Sequence, residues 1–554
     1  MASTNGPTMA LPEISLSYLL ASLLSLAAFV FLVLKLSSSG RGPRALADPI
    51  PRVFNTLQFM LNNHKFMIRV QNAMRDSSVV RCYLGPKAVY LVTGQQGLRT
   101  VFGRELVHSV TNQEQMTGFA LPTLYRMKPD EVRRWENDKS GVTKIPISGT
   151  EHMPSRQRLW FNYEHIYAEY LGKPQYVKPQ VDMFRHTFGT ALERYSADEW
   201  KTISILELCR GEIAGAAISV LFGPDLVKLT PDFIDRFWSF DEHVFSLVLG
   251  IPKWINSAPS KAHDRYVAAI ETWLNRALTK FDWEGPDAEA DWEPRFGARA
   301  VREMVKWMKE TGWRTEVIAA TMGALAFALN SNSIPTSTWM LMEIIKSPSL
   351  LQAVREELAT VTITDPKTGK QTLDSQKLVT LPLLQSVWTE TLRLRINFNI
   401  TRDVKEPITI DGHTIPKGSM LQAPMMVAHY DEATWGAPDH SASEFWAERH
   451  IRYTNVTDSS GKTSASRQYA MAGRATSYFP FGGGANMCPG RQYAKFEVLM
   501  AVGLVLSQFD IQFVGWFKPD GSSSDHPAES DMRYCGAGAM PPDRDMKIRL
   551  RRIS

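Results

Sequence analysis

The segment Phe479-Pro480-Phe481-Gly482-Gly483-Gly484-Ala485-Asn486-Met487-Cys488-Pro489-Gly490-Arg491 carries the most specific chemistry in this 554-residue chain. Its run of glycines lets backbone approach a ligand closely, and Pro489-Gly490 sets up a helix start. The apolar stretch from Tyr493 to Phe509 that follows has a helical pattern. Its free N–H groups and positive end would favour a thiolate on Cys488 over a thiol. A thiolate on such a loop suits iron. Taken alone, a single cysteine in a glycine-rich turn is more often structural. Glu390 and Arg393, in Glu390-Thr391-Leu392-Arg393, are spaced to share one helix face. On its own that pair means little, because Glu and Arg at this spacing usually meet on a surface.

These residues need elements to position them. Between Glu316 and Glu343 the chain is uncharged from Val317 to Met342, long enough to cross a membrane. Its middle, Asn330 to Ser333 and Pro335 to Thr338, is too polar for lipid, and Pro335 removes a helix hydrogen bond. A long helix through the protein core fits better, its polar centre facing a ligand or water, or else serving as small side chains for close packing. Val79 to Val92 alternates as a β-hairpin turning at Gly85-Pro86. The stretches from Met127 to Arg158, Glu284 to Glu293, Thr454 to Gly473 and Pro519 to Asp531 read as surface loops inserted in one body. The fold class is mainly α with small β-sheets, an α+β arrangement.

Composition narrows the function. With 62 basic and 57 acidic residues the net charge is only +5, so no basic stripe for nucleic acid exists. Cys82, Cys209, Cys488 and Cys535 are scattered without a Cys-x-x-Cys pair, which excludes a disulfide framework and a structural zinc site. The 15 Trp and 26 Phe suit a broad apolar interior able to take a large apolar ligand.

The N-terminus stands apart. From Ile14 to Leu34 there is no charge, and at about 1.5 Å per residue the run crosses ~30 Å of hydrocarbon. A cleaved signal peptide would need a basic region before a shorter apolar run, but only Glu13 precedes this one. Lys35, Arg41, Arg44 and Arg52 follow it, placing the rest of the chain in the cytosol by the positive-inside rule. The expected division is 1–39 as a membrane anchor, with its transmembrane helix at about 14–34, and 40–554 as one catalytic domain.

Phe481, Gly484, Cys488 and Gly490 match the signature Phe-x-x-Gly-x-x-x-Cys-x-Gly of the cytochrome P450 family, which the chain resembles over essentially its whole length. The resemblance implies haem b with Cys488 as its axial iron ligand, where thiolate donation favours O–O cleavage. It implies a structural lock of Glu390, Arg393 and Arg449, the last in Phe445-Trp446-Ala447-Glu448-Arg449-His450. Arg402 falls where the family pairs a guanidinium with a haem propionate. Asn332 stands where most members have Thr, and Ser331 replaces the usual acid, so the proton relay is altered. Asn486 stands where many members have a propionate-binding Arg or His, so an anionic contact is lost there. The stretches Asn332 to Pro335 and Cys488 to Arg491 are similar to the branch holding sterol 7α-hydroxylases and prostacyclin synthase. The resemblance further implies O2 as oxidant, NADPH electrons through NADPH-cytochrome P450 reductase with cytochrome b5 as a second donor, and a single-pass place in the endoplasmic reticulum membrane. The expected activity is monooxygenation of a bulky apolar, terpenoid or steroid-like substrate in fungal secondary metabolism. The altered relay raises the alternative of an isomerase or dehydratase acting on a peroxide without a reductase.

Overall fold

A computed structural model describes residue 25 and residues 42–553, except 249, 251, 366–368 and 458–462. The expected span at 14–34 therefore lies outside the described residues apart from Ser25, as do Lys35 and Arg41. The described part begins with a strip of exposed apolar side chains, Ile50, Val53, Leu57, Met60 and Leu61, on and just before the helix Phe54–Leu61.

The element that organises the core is a single long helix. Helices α1 (Pro129–Asn137), α2 (Leu159–Gly172), α3 (Pro174–Leu192), α4 (Phe233–Val248), α5 (Ala258–Lys280) and α6 (Arg299–Glu310) precede α7 (Thr315–Ile345), which packs on α5 and on α10 (Arg491–Gln508). Between them lie α8 (Pro382–Arg395) and the short α9 (Met425–His429). Helix α7 is the one described helix long and apolar enough to cross a membrane, and it is buried instead. Its apolar half, Val317 to Leu329, is made of good helix formers and is held by packing. The polar half holds its helix despite Pro335, with the hydroxyls of Thr336, Ser337 and Thr338 donating back to the carbonyls of Asn332, Ser333 and Ile334 at 2.7, 3.0 and 2.9 Å. That back-bonding keeps the Ser337 and Thr338 hydroxyls bonded within the helix.

The main sheet runs β1 (Arg44–Ala45), β2 (Val79–Leu84), β3 (Lys87–Val92), β7 (Met420–Pro424), β6 (Ile396–Val404), β12 (Ala537–Ala539), with β4 (Val110–Thr111) also on β6. Strands β2 and β3 form the expected hairpin, Val80 opposite Leu91. Arg402 on β6 pairs with Leu421 on β7. A second sheet joins β5 (Lys201–Ser204), β13 (Asp545–Arg552), β10 (Phe509–Phe517) and β11 (Ser523–Ser524).

Two expected loops are regular. Within Met127 to Arg158, α1 forms because Pro129 opens it and the Glu131 carboxylate accepts from the Lys128 N–H at 2.7 Å. Asp130, Arg133, Arg134 and Glu136 are exposed, while Val132 and Trp135 enter the core and Glu131 is buried against Arg314; charge density hid a short amphipathic helix. Within Thr454 to Gly473, β8 (Ile451–Thr457) and β9 (Thr463–Tyr469) pair as a ribbon from Ile451 opposite Tyr469 onward. The ribbon is largely solvated, so it shows no apolar alternation. Glu284 to Glu293 and Pro519 to Asp531 contain only short strands at Trp292–Glu293 and Ser523–Ser524.

Helix α5 lies close against α7 at Gly323. The Tyr266 hydroxyl donates to the Gly323 carbonyl at 2.9 Å, and a Cβ there would meet Tyr266 and Ile270 at 3.1 Å. Gly323→Leu should therefore destabilise the fold by about 1–3 kcal/mol through overpacking, read as a lower urea midpoint, whereas Gly323→Ala should cost less.

Candidate active site

The site rests on a buried charge cluster. Glu390, on α8, accepts from Arg393 Nε at 2.9 Å and Nη2 at 2.8 Å, from Arg449 Nε at 2.8 Å, and from the Trp446 N–H at 3.2 Å. His450 Nε2 lies 3.3 Å from its other oxygen. Glu390, Arg393 and Arg449 are all buried. Arg449 spends its remaining N–H groups on the carbonyls of Trp435, Ser441 and Glu444. Burial pushes the Glu390 carboxyl up, but the Arg393 hydrogen bonds, then His450 and the two guanidinium charges, hold it well below the usual carboxylate range. His450 carried no sequence signal beyond its place beside Arg449.

A histidine joins this cluster to the cysteine loop. Arg393 Nη1 donates to the His429 carbonyl at 2.5 Å, and His429 Nδ1 lies 3.1 Å from the Arg393 carbonyl. On the far side of the ring, His429 Nε2 accepts from the Phe479 N–H at 3.2 Å. Burial, then the Arg393 charge, pushes this imidazole down to about 3, so it is neutral and can accept. No spacing rule pointed to His429.

From Phe479 the loop folds back on itself: Gly482 N–H donates to the Phe479 carbonyl at 2.8 Å and Cys488 N–H to that of Phe481 at 2.9 Å. Gly484 has φ +68°, and a Cβ on Gly483 would fall 2.6 Å from the Phe102 ring. These two glycines thus make room for Phe102 behind the loop, and Gly490 is the one with open space beside it. Cys488 is the one exposed cysteine; Cys82, Cys209 and Cys535 are buried and free. Burial raises the Cys488 thiol, against the lowering effect of the Gly490 and Arg491 amides and the Arg491 charge. The helix-start amides and the Arg491 charge favour the thiolate, the expected direction, and a coordinated metal would complete it, since it deprotonates its thiol ligand outright.

Cys488, Phe481 and Gly490 line a cavity of about 770 Å³ that extends to α7. Within the usual range for small-molecule sites, it is wide enough for a cofactor and part of a substrate. From α7 the cavity receives Ala324, Ala328, Asn332, Ser333 and Thr336. Asn332 accepts the Ala539 N–H on Oδ1 at 3.0 Å, so its carbonyl is committed and its amide N–H groups remain. Ser331 does not line the cavity. Pro335, which has no N–H, leaves the Ser331 carbonyl without its helical donor.

The rim is polar. Arg402 lines it and donates to the Thr401 carbonyl at 2.8 Å. Asn486 donates to Glu164 of α2 at 3.1 Å, and burial pushes that carboxyl up to about 7 against this bond and the Arg402 charge. Glu164 was not foreseen, nor were the hydroxyls of Tyr125 and Tyr163, 2.6 Å apart at the wall. Gly484 is in the loop but off the cavity wall.

These residues fit a haem: a sulfur open to a large cavity, glycine and apolar walls beside it, and a guanidinium at the rim that among the described residues bonds only to a backbone carbonyl. Cys488 would hold the iron and Arg402 would meet a carboxylate. A cysteine loop beside a wide cavity, faced by one long helix and braced by a buried Glu-Arg-Arg cluster, is the arrangement a haem-thiolate enzyme would need. The cytochrome P450 family model matches residues 224–519. The chain is 37% identical over 499 residues to the cytochrome P450 monooxygenase calL of Penicillium decumbens, covering 90% of this chain and 91% of that one. It is 26% identical to fsoE of Humicola fuscoatra, also a cytochrome P450 monooxygenase, over 92% of this chain and 87% of that one. It is 28% identical to prostacyclin synthase of Bos taurus over 64% and 68%. The chain belongs to the cytochrome P450 family, an oxidoreductase family whose members use haem, dioxygen and electrons from a redox partner.

Two variants probe the bracing. Glu390→Gln leaves two buried guanidiniums short of a counter-charge and should cost about 3–5 kcal/mol. Because the folded carboxyl sits below its unfolded value of about 4.3, its contribution is complete above that pH and is lost as pH falls through the folded value. Urea midpoints against pH should then fall less steeply on the acid side in Glu390→Gln than in the parent. His429→Phe leaves the Phe479 N–H unpaired in the core at about 1–3 kcal/mol, and should lower the haem content of purified protein.

Proposed function

We propose that this chain is a membrane-anchored P450 monooxygenase that inserts one oxygen atom from O2 into a bulky apolar substrate, terpenoid or steroid-like, in fungal secondary metabolism. In this reading residues 1–39 are a single-pass anchor in the endoplasmic reticulum membrane and 40–554 the cytosolic catalytic domain. Electrons come from NADPH through NADPH-cytochrome P450 reductase, with cytochrome b5 as a second donor. The observation that carries the reading is that Cys488 and the Asn332 face of α7 line one cavity whose walls are mostly apolar.

Haem held there would supply the activation of dioxygen and the transfer of one oxygen atom to a C–H bond. Cys488 would hold its iron through sulfur, and Phe481, Gly484 and Gly490 shape the loop. Arg402 would bind a propionate, while Glu390, Arg393 and Arg449 keep the scaffold in place. Asn332 cannot give up a proton at neutral pH, but its amide can donate a hydrogen bond to an oxygen atom in the cavity. Proton delivery is then left to water held by the Ser333 and Thr336 hydroxyls. The apolar strip at Val53, Leu57, Met60 and Leu61 supports a membrane-facing body. The names of the fungal relatives support the monooxygenase chemistry, and that of cholesterol 7-alpha-monooxygenase of Cricetulus griseus, 25% identical, supports a steroid-like substrate.

A peroxide isomerase is the second reading, favoured by the cavity face of α7 offering an amide and hydroxyls but no acid. Incubation of full-length protein with reductase, NADPH and a panel of terpenoids and sterols, followed by product mass, tests both. Products heavier by one oxygen atom and dependent on NADPH are expected. Turnover of a hydroperoxide with no reductase, and no NADPH-dependent product, would replace the monooxygenase reading. Asn332→Ala should raise peroxide release per NADPH consumed; unchanged coupling would place the proton path away from α7.

A further inference from the structure

Strand β12 runs beside α7 and is fastened to it twice. Asn332 Oδ1 accepts from the Ala539 N–H at 3.0 Å. Two turns further along the same face of α7, Trp339 Nε1 donates to the Met540 carbonyl at 2.8 Å. The Met540 N–H in turn donates to the Arg395 carbonyl, at the end of α8, at 2.8 Å. On its other side β12 pairs with β6, Ala539 opposite Ile396. Trp339, Ala539 and Met540 are all buried.

Trp339 is itself seated. The Arg395 guanidinium lies 3.7 Å from the centre of its ring, and donates to Glu343 of α7 at 2.9 Å and to the Ser530 hydroxyl at 2.8 Å. An indole N–H can only donate, so this ring fixes one carbonyl of the strand. Gly538 lets the strand pass close to α7: a Cβ there would come 3.1 Å from Asn332 Oδ1 and 3.5 Å from the Phe398 ring. Trp339, Arg395 and Met540 do not line the cavity, whereas Asn332 does, so they act on it through Asn332.

The Ala539 N–H decides which way the Asn332 amide is turned. Turned over, Nδ2 would meet that N–H donor to donor, and a buried N–H left unpaired costs about 1–3 kcal/mol. With Oδ1 committed, the N–H end is the one left for the cavity.

We propose that Trp339, seated by Arg395, is a positioning residue: by holding β12 against α7 it keeps the Asn332 amide turned with its N–H groups toward the cavity, a reading that rests on the function proposed above. When β12 is loosened the amide is free to turn its carbonyl inward, and an oxygen atom in the cavity loses its donor.

The test uses full-length holoenzyme, wild type and the variants Trp339→Phe, Gly538→Ala and Asn332→Leu. The C–O stretch of the ferrous carbon monoxide complex reports which group faces the bound gas, because a hydrogen-bond donor lowers it and a carbonyl oxygen raises it. Hydrogen exchange of the segment 536–541, read by mass, reports how firmly β12 is held. Trp339→Phe keeps a ring and removes one neutral hydrogen bond, which corresponds to about a fivefold change in an equilibrium. The expected result for Trp339→Phe is exchange about fivefold faster and a second C–O band at higher frequency, about fivefold stronger relative to the main band than in wild type. Gly538→Ala, which crowds Asn332 Oδ1 directly, should show the second band too, and Asn332→Leu should lose the low-frequency band altogether. A single unmoved band in Trp339→Phe and Gly538→Ala, with or without faster exchange, overturns the positioning role. So does an Asn332→Leu band that matches the wild type. A wild-type protein without a thiolate-type carbon monoxide spectrum would instead mark failure of the function proposed above.

Discussion

The carboxylate of Glu390, buried between two guanidiniums, is the interaction on which the site depends. A charge so placed is costly unless every lone pair is met, and here Arg393, Arg449, His450 and the Trp446 amide meet them. The cluster draws in carbonyls from Trp435, Ser441, Glu444 and His429, so several otherwise irregular segments are fixed by it. One of those contacts passes through His429 to Phe479, and from there the folded-back loop brings Cys488 to the cavity. The cluster does no bond chemistry; it holds the reacting side of the cavity at a set distance from α7.

What the sequence disclosed follows from how local each signal is. Cys488 and its glycines, the pair Glu390 and Arg393, and the uncharged stretch that became α7 are legible because type and spacing lie within a few residues. The helix in α1 was masked by its dense charges, most of them exposed, and the β8–β9 ribbon by side chains that have no core to alternate against. His429 and Glu164 were not legible at all, since their partners are 50 and 322 residues away in the chain. The glycines taught a finer lesson: Gly483 and Gly484 are small to clear Phe102, not to admit a ligand.

The polar edge of the cavity departs from what motif reasoning expects in a consistent way. Asn486 carries no charge and instead binds Glu164, a carboxyl that burial drives toward its neutral form. Arg402 remains, and Lys144 and His165 stand on the neighbouring wall. On the α7 side Asn332 is locked by Ala539, leaving an amide donor above the sulfur-bearing floor. At Asn486 an amide stands for an ionisable group and at Asn332 for a hydroxyl, so hydrogen bonding by amides takes over at both edges.

The braced loop presents Cys488 where its sulfur would bind iron. Iron-edge X-ray absorption of purified holoprotein tests it most directly, because the method sees the atoms bound to the metal. A sulfur scatterer in the wild-type protein that is replaced by oxygen in Cys488→Ser is the predicted result. Only nitrogen and oxygen neighbours in the wild type, or a sulfur signal that survives in Cys488→Ser, would contradict it.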